Sequence, residues 1–344
     1  MMAVVKANGY GHGMLEVVKI LEAEQADRFA VAILEEGIYL RQNGCEKSIL
    51  ILGHTFDEGL EEMLFFGLTP TIDTYEQAKC LSKIAQRQSK VAAIHIKIDT
   101  GMGRLGFLPN EQAIERIQQI FALPYIRVEG IYSHLASSEQ IADATYSHEQ
   151  FNTFSRFLHC LEEKRVKIPL KHLSNSAAIM LYPEMHFNMV RPGTALFGIY
   201  SGPELRRQRP NALIPAMSIK ARLARVRQVP AGTKVSYSSL FETARPSTLG
   251  VVPLGYADGI FRSLANKGEV LLHGKRCPIV GNLCMDQFVI DISHVHNPNP
   301  GDEIVLVGTQ DEEKISAEEV AEIAGTNAIE LLTGLGERMP IKML

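Results

Sequence analysis

Two hydrophobic patterns alternate along the amino-terminal part of the chain. Short, nearly continuous apolar runs lie at 2–6 (MAVVK), 29–34 (FAVAIL), 48–53 (SILILG), 68–72 (LTPTI), 92–99 (AAIHIKID), 126–133 (IRVEGIYS), 170–174 (LKHLS) and 187–191 (FNMVR). Between them run amphipathic segments of helical period. In GMLEVVKILEAE, for instance, Leu15, Val18 and Leu21 recur every third position, with Glu16, Lys19 and Glu22 between them. Apolar strands alternating with helices predict a parallel sheet covered by helices. Eight such units predict a closed (β/α)8 barrel, with an open doubly wound sheet as the alternative.

The pattern changes near Pro203–Pro215, a stretch rich in proline and arginine that reads as a linker. The chain therefore divides into a barrel, residues 1–205, and a mostly-β carboxyl-terminal domain, residues 206–344. Strand-like runs dominate the second part: MSIKARLARVRQV, KVSYSSL, STLGVVPLGY, EVLLHG, FVIDI and EIVLVG. Turn signals such as Asn266-Lys267-Gly268 and Pro300-Gly301-Asp302 separate them. A late helix opens at SAEEVAEIAG, with Ser316 as its cap and Glu319 three residues on, the spacing of a capping box.

Composition narrows the classes of function. The 344 residues are 46% hydrophobic and 22% charged, with a formal net charge of −4. No basic stretch is dense enough for a nucleic-acid footprint. Arg206, Arg207 and Arg209 form the tightest basic cluster and read as a solvated linker. No apolar run approaches the ~20 residues of a membrane span, and no signal peptide is visible. The five cysteines include no CxxC pair, which points to a reducing cytoplasm and away from a disulfide framework or a zinc site.

Active sites of parallel barrels lie at the carboxyl ends of the strands. Read in order, those ends carry Lys6, then Lys97 and Asp99 leading to Arg104, then Ser133-His134, then His172 and SNSAA, then Arg191-Pro192-Gly193-Thr194. Four cations and two histidines converging on one mouth suit an anion. Lys6 stands out, because desolvation opposes its charge and makes the amine nucleophilic. The plainer reading is a buried stem whose head reaches water. Backbone amides around Ser174–Ala177 and Gly193-Thr194 read as phosphate cradles. Taken singly, Arg104 and Arg191 also read as surface ion-pair partners, Tyr237 as an ordinary strand tyrosine, and Cys284-Met285 as core.

Taken together, AVVKANGYGHG, KIDTGMGRLGF, SHLASSE, SNSAA, MVRPGTALFG, VSYSS, PLGYADG and GNLCMDQ follow one order along nearly the whole chain. This set resembles the alanine racemase family, a fold-type III group using pyridoxal 5′-phosphate (PLP). The resemblance implies a homodimer with shared active sites that interconverts L- and D-alanine by a two-base mechanism. Lys6 then carries PLP and is one base, while Tyr237 of the other subunit is the second. Tyr10, Asn175, Ser176, Gly193 and Thr194 match residues around the cofactor phosphate. Arg191 matches the residue facing the pyridine nitrogen, with His134 in a hydrogen-bond chain behind it. Arg104 matches the arginine that orients the catalytic tyrosine and the substrate carboxylate, which the backbone amide of Met285, also from the other subunit, contacts as well. Lys97 matches a supporting lysine often carboxylated in the family, whose carbamate would hold Arg104. Tyr256 and Arg262 resemble residues lining the entrance channel.

The chemistry is coherent: racemisation removes Cα–H from one face and returns a proton on the other, so one base per face is needed. An arginine at the pyridine nitrogen argues against a decarboxylase of the same barrel class, which would place a carboxylate there. Two departures stand out. The family normally carries a further strand ahead of the lysine motif, whereas here that motif opens the sequence. Many members also hold a tyrosine in a TINYE segment, where this chain reads TNAIE and places Ile329. That change leaves serine or a broader set of amino acids as an alternative substrate. A PLP-binding barrel protein with little catalysis is a further alternative, and the second domain carrying Tyr237 argues against it.

Overall fold

The apolar runs become strands wherever both faces of the sheet can be covered. In the computed structural model, which describes residues 1–336 and 338–344, the chain divides into two compact units, Met1–Ile214 and Pro215–Leu344. The first holds seven parallel strands in sequential order: β1 (Met2–Val4), β2 (Arg28–Val31), β3 (Ser48–Ile51), β4 (Thr69–Ile72), β5 (Ala92–Lys97), β6 (Ile126–Tyr132) and β7 (Leu170–His172). Helices such as Met14–Ala23, Leu34–Gln42, Tyr75–Arg87, Glu111–Phe121 and Thr145–Glu163 follow them. Their starts carry the expected chemistry: the Thr74 hydroxyl accepts from Gln77 N and the Asn110 amide from Ala113 N.

The eighth expected strand, FNMVR, does not form a regular ladder. Residues around 189–192 instead bridge the two edges of the curled sheet. Met2 N donates to Val190 O and Val4 N to Pro192 O, each at 2.9 Å, while Arg191 N donates to Ser174 O at 3.0 Å. The segment closes the barrel through a few hydrogen bonds because it is short and Pro192 has no N–H to give. The stretch read as a linker also differs, since Pro203–Gln208 is a short helix with proline at its first position.

The second unit is antiparallel. Its strands are β8 (Ile219–Arg222), β9 (Arg225–Val229), β10 (Lys234–Val235), β11 (Phe241–Glu242), β12 (Ser247–Val252), β13 (Glu269–Leu272), β14 (Lys275–Val280), β15 (Phe288–Asp291), β16 (Glu303–Gln310) and β17 (Glu313–Ile315). The main sheet runs β17-β16-β13-β14-β15-β12-β9, β8 pairs with β16, and β10 and β11 form a separate ribbon. The run MSIKARLARVRQV, expected as one strand, splits at Leu223-Ala224 because its halves pair with different strands. In KVSYSSL only Lys234–Val235 is strand; Ser236, Ser238 and Ser239 adopt positive φ and turn the chain. Ser316 caps the helix Ala317–Ala324 by accepting from Glu319 N at 3.1 Å. The Glu319 carboxylate binds Arg276, which also holds Glu269 and Glu313.

Candidate active site

The strand ends of the first unit surround a cavity of about 370 Å³. Lys6, Lys97, Arg104 and Arg191 line it, with Tyr10, Tyr132, His134, Asn175, Ser176, Gly193 and Thr194. Among the described residues no carboxylate lines it, so the mouth is electropositive. Lys97 is buried, and its pKa falls to about 8, through burial first and then the charges of Arg104 and Arg191. Lys6 is half-buried, and its pKa is lowered by burial and by Arg104, with Glu36 acting in the opposite sense. His134 is held well below its ordinary value by burial and the four surrounding cations, so it is neutral.

Asp99 explains how Arg104 is placed. Its carboxylate accepts from the backbone N–H groups of Gly101, Gly103 and Arg104 at 2.9, 3.1 and 3.0 Å. Burial raises its pKa, but those donors outweigh burial and keep it ionised below the ordinary value. The loop that bears Arg104 is thus folded around one anion.

Lys6 stands two residues beyond β1 and is followed by a left-handed turn. Ala7, Asn8, Gly9 and Tyr10 all have φ between 52° and 63°. Each non-glycine residue there costs roughly 1–2 kcal/mol. The turn brings Tyr10, which is buried, against Gly193: a Cβ on that glycine would stand 2.7 Å from the Tyr10 hydroxyl. Burial, with Glu36 adding to it, lifts the Tyr10 phenol to about 12, so it stays a hydrogen-bond donor. The cradle differs from expectation in one respect. The Gly193 amide donates to Ser176 Oγ at 2.9 Å, as does Ala195 N at 3.2 Å. Those amides spend their hydrogens on Ser176, so hydroxyls, among them those of Tyr10, Ser176 and Thr194, are presented at the cavity wall.

Arg191 is held in place beneath the mouth. Its guanidinium bonds His172 Nδ1 at 2.6 Å, Ser133 O at 2.7 Å and Leu173 O at 3.0 Å, and reaches His134 Nδ1 at 3.3 Å. Burial lowers its pKa to about 10, which leaves it charged at neutral pH. Besides this contact with His134, a longer chain runs behind Arg191 through His172. His172 Nε2 meets His95 Nδ1 at 2.8 Å, and Glu129 stands 3.7 Å beyond His95 and 3.1 Å from Arg28. His172 therefore lies inside the barrel and not at its mouth, as the strand-end reading placed it. Its seat is built by Tyr132, whose ring stacks on it at 4.7 Å and whose hydroxyl meets Thr71 at 2.8 Å. His95 fits because β5 slips by one residue against β6 to face Gly130, where a Cβ would lie 2.5 Å from the imidazole. Tyr132 and His95 were missed in the sequence; the available signal was polar side chains inside otherwise apolar parallel strands.

The remaining expected site residues lie in the second unit and share one set of loops. Asn282 Nδ2 donates to Tyr237 O at 2.8 Å, and Ser236 Oγ to Asn282 O at 2.6 Å. Tyr256 N donates to Cys284 O and Ala257 N to Met285 O. These bonds bring Tyr237, Tyr256 and Met285 together at the surface, 71%, 43% and 52% exposed. Arg262 lies over the Tyr256 ring at 5.9 Å. Ile329 is half-buried near the start of the helix Ala328–Thr333, which Asn327 caps.

A parallel barrel with a basic mouth, followed by an antiparallel β unit, defines the class. Residues 1–201 match the family description "Alanine racemase, N-terminal domain" and residues 216–343 match "Alanine racemase, C-terminal domain". The chain belongs to the alanine racemase family. It is 45% identical to the alanine racemase of Carboxydothermus hydrogenoformans, across 98% of this chain and 91% of that one. With the alanine racemase of Methanococcus maripaludis it shares 47% identity, across 98% and 90%. Among solved structures it is similar to alanine racemase of Clostridium difficile 630 (TM-score 0.93, 39% identity, 98% and 87% covered). It is also similar to that of Bartonella henselae with covalently bound pyridoxal phosphate (TM-score 0.86, 30% identity, 98% and 90% covered). Among the described residues no helix is long and apolar enough to cross a membrane.

Proposed function

We propose that this chain is a PLP-dependent alanine racemase whose two bases are Lys6 and Tyr237, the latter supplied by a second copy of the chain. The observation that carries the reading is the electropositive cavity beyond the end of β1, lined by Lys6 and by hydroxyls that include those of Tyr10, Ser176 and Thr194, with no carboxylate among the described lining residues. Its size lies within the range of small-molecule sites. The donor set fits PLP: hydroxyls of Tyr10, Ser176 and Thr194 for a phosphate beside Asn175 and Gly193, an amine for its carbonyl carbon, and Arg191 for its ring nitrogen. Bound PLP supplies the electron sink that makes the substrate Cα–H acidic.

The rest is done by the chain. Arg191 is a donor with no acceptor atom, and it is pinned by His172, Ser133 O and Leu173 O. It therefore gives a hydrogen bond without giving up a proton. Arg104, on the loop folded around Asp99, holds the substrate carboxylate together with the Met285 amide. Lys6 Nζ takes or returns the proton at Cα on one face, and Tyr237 Oη does so on the other. Lys97 carries a lowered pKa, and the neutral amine is the form that takes up carbon dioxide; a carbamate there would set an anion beside Arg104 and Arg191. Tyr237, Tyr256 and Met285 are exposed on adjoining loops, which supports a homodimer in which another subunit covers them. Five unpaired thiols support a reducing cytoplasm as the working compartment. Serine turnover beside alanine is the second reading, and it rests on Ile329.

Borohydride reduction of the PLP-loaded protein followed by peptide mapping tests the assignment. The pyridoxyl group is expected on Lys6, and a label on any other lysine overturns it. Mixing Lys6→Ala with Tyr237→Phe under subunit exchange tests the sharing. Recovered activity is expected, since one of the two sites in a mixed dimer is intact; no recovery after demonstrated exchange counts against a shared site.

A further inference from the structure

The turn after Lys6 is held by a group that belongs to a different strand-helix unit. Glu36 sits in the first turn of the helix Leu34–Gln42. One carboxylate oxygen, Oε2, does what an acidic residue at this position commonly does: it accepts from the backbone at the helix start, Ala32 N at 2.8 Å and Ile33 N at 3.4 Å. The other oxygen reaches across to the loop after β1 and accepts from Ala7 N at 2.6 Å. Ala7 is the first residue of the left-handed turn, with φ 52° and ψ 55°.

The rest of that turn is bonded internally. Gly9 N donates to Val5 O at 2.9 Å, Gly11 N to Ala7 O at 3.0 Å, and Met14 N to Asn8 Oδ1 at 2.9 Å. These bonds close the turn on itself, but none of them ties it to a neighbouring unit. Ala7 and Asn8 are exposed, so burial does not hold them in a conformation that L residues avoid. The Glu36 contact is what fixes the first left-handed residue to the loop after β2. A side chain before the turn, Lys6, and one at its end, Tyr10, both point into the cavity only while the turn keeps its hand.

We propose that Glu36 is a positioning residue: its carboxylate clamps the left-handed turn at Ala7 and so sets the spacing between the Lys6 amine and the Tyr10 hydroxyl, the two groups that would hold the carbonyl and phosphate ends of PLP. Glu36 itself touches neither substrate nor cofactor. The link to PLP rests on the proposed function, while the clamp on the turn does not.

The test compares Glu36→Ala, Glu36→Gln and Glu35→Gln in the PLP-loaded enzyme. Glu35 is the exposed neighbour in the same helical turn, and its variant controls for the helix start. Two readouts are taken: amide hydrogen exchange at Gly9 and Gly11, whose bonds do not involve Glu36, and the rate of PLP release followed by absorbance. Glu36→Ala is expected to speed both by about tenfold, the scale of a lost hydrogen bond to a charged group. Glu36→Gln keeps one accepting oxygen and turns an N–H toward a donor on the other side. It is expected to speed both by a smaller factor, and it supplies the same readouts should the alanine variant not fold. Glu35→Gln is expected to match wild type. Exchange at Gly9 and Gly11 and PLP release within about twofold of wild type in both Glu36 variants would overturn the proposal. Exchange at those glycines does not depend on which lysine carries PLP. A label found elsewhere than Lys6 would therefore remove the proposed function and leave the clamp standing.

Discussion

The barrel mouth and the loop cluster of the second unit hold their expected site residues under opposite conditions. At the mouth, Arg191 and Lys97 are buried, 3% and 4% exposed, and the Arg191 guanidinium is held by groups of its own unit. On the second unit, Tyr237, Tyr256 and Met285 stand out in the open, on loops anchored through their backbones. The contrast is one of what each region has to work against. A charge inside a barrel is tolerated only when hydrogen bonds replace its water, so the positions are fixed before any ligand arrives. Exposed aromatic and thioether groups on a hydrogen-bonded loop scaffold are positioned but uncovered, as the proposed second subunit requires.

The comparison can be broken at several points. The largest effect is expected from Lys6→Ala, which on the proposed function removes a base and the PLP anchor together: racemisation should fall by at least ~10³-fold, the scale of general acid-base catalysis and more. Tyr237→Phe should cost about 10²–10⁴-fold in kcat while leaving the unfolding free energy within about 0.5 kcal/mol, because the phenol is exposed in its own unit. A large loss of stability in Tyr237→Phe monomers would erase the distinction between the two regions.

His172→Phe reverses that pairing of effects. It leaves a buried guanidinium donor without its 2.6 Å partner, and chemical denaturation should show a loss of about 1–3 kcal/mol. The pH dependence has a definite sign. His172 and His95 are kept neutral by burial, with folded pKa values below the ordinary 6.5. The unfolded chain binds protons at pH values where the folded chain does not, so the stability these residues confer is full above 6.5 and is lost as pH falls below it. Glu129, held down to about 2 by His95 and Arg28, adds a second loss as pH falls below 4.5. Thermal unfolding across the first range should flatten in His172→Phe, and an unchanged slope would remove His172 from the account.

The smallest effect is expected at Ile329. Isoleucine gives no hydrogen bond, so Ile329→Tyr restores a donor worth about 0.5–1.5 kcal/mol, or more against a charged group. Measurable L-Ser turnover beside L-Ala is expected in the wild type, with the ratio of the two kcat/KM values moving toward alanine in the variant. A ratio that stays put while PLP remains bound would free substrate choice from this position.

Much of this was legible along the chain, for identifiable reasons. β1 to β7 were visible because strands buried on both faces are apolar throughout, and their ends pointed to Lys6, Arg104 and Arg191. β14 was missed because Lys275, Arg276 and Pro278 break the apolar run, although the strand pairs with β13 and β15. The helix at Pro203–Gln208 was hidden by its proline, which reads as a breaker unless it falls at the first helical position.

What the sequence determined by itself is therefore local or additive: the alternation of strand and helix, the cap at Ser316, the change of pattern after residue 200 or so, and the motifs that carry the family. What only the tertiary structure decided depends on partners distant in the chain. His172 could face the mouth or the interior, and the stack on Tyr132 and the slipped register opposite Gly130 settle that it faces inward. Residues 189–192 could be a strand or a bridge, and the N–H and C=O groups left open on β1 and near Ser174 make them a bridge. Ala7 to Tyr10 could hardly be expected to wind left-handed from their side chains. Bonds to Val5 O, to Asn8 Oδ1 and to Glu36, a residue 29 positions away, hold them there. Hydrophobic period fixes which residues are inside, but the direction a polar group takes once inside is set by where its hydrogen-bond partners stand, and those come from other strands.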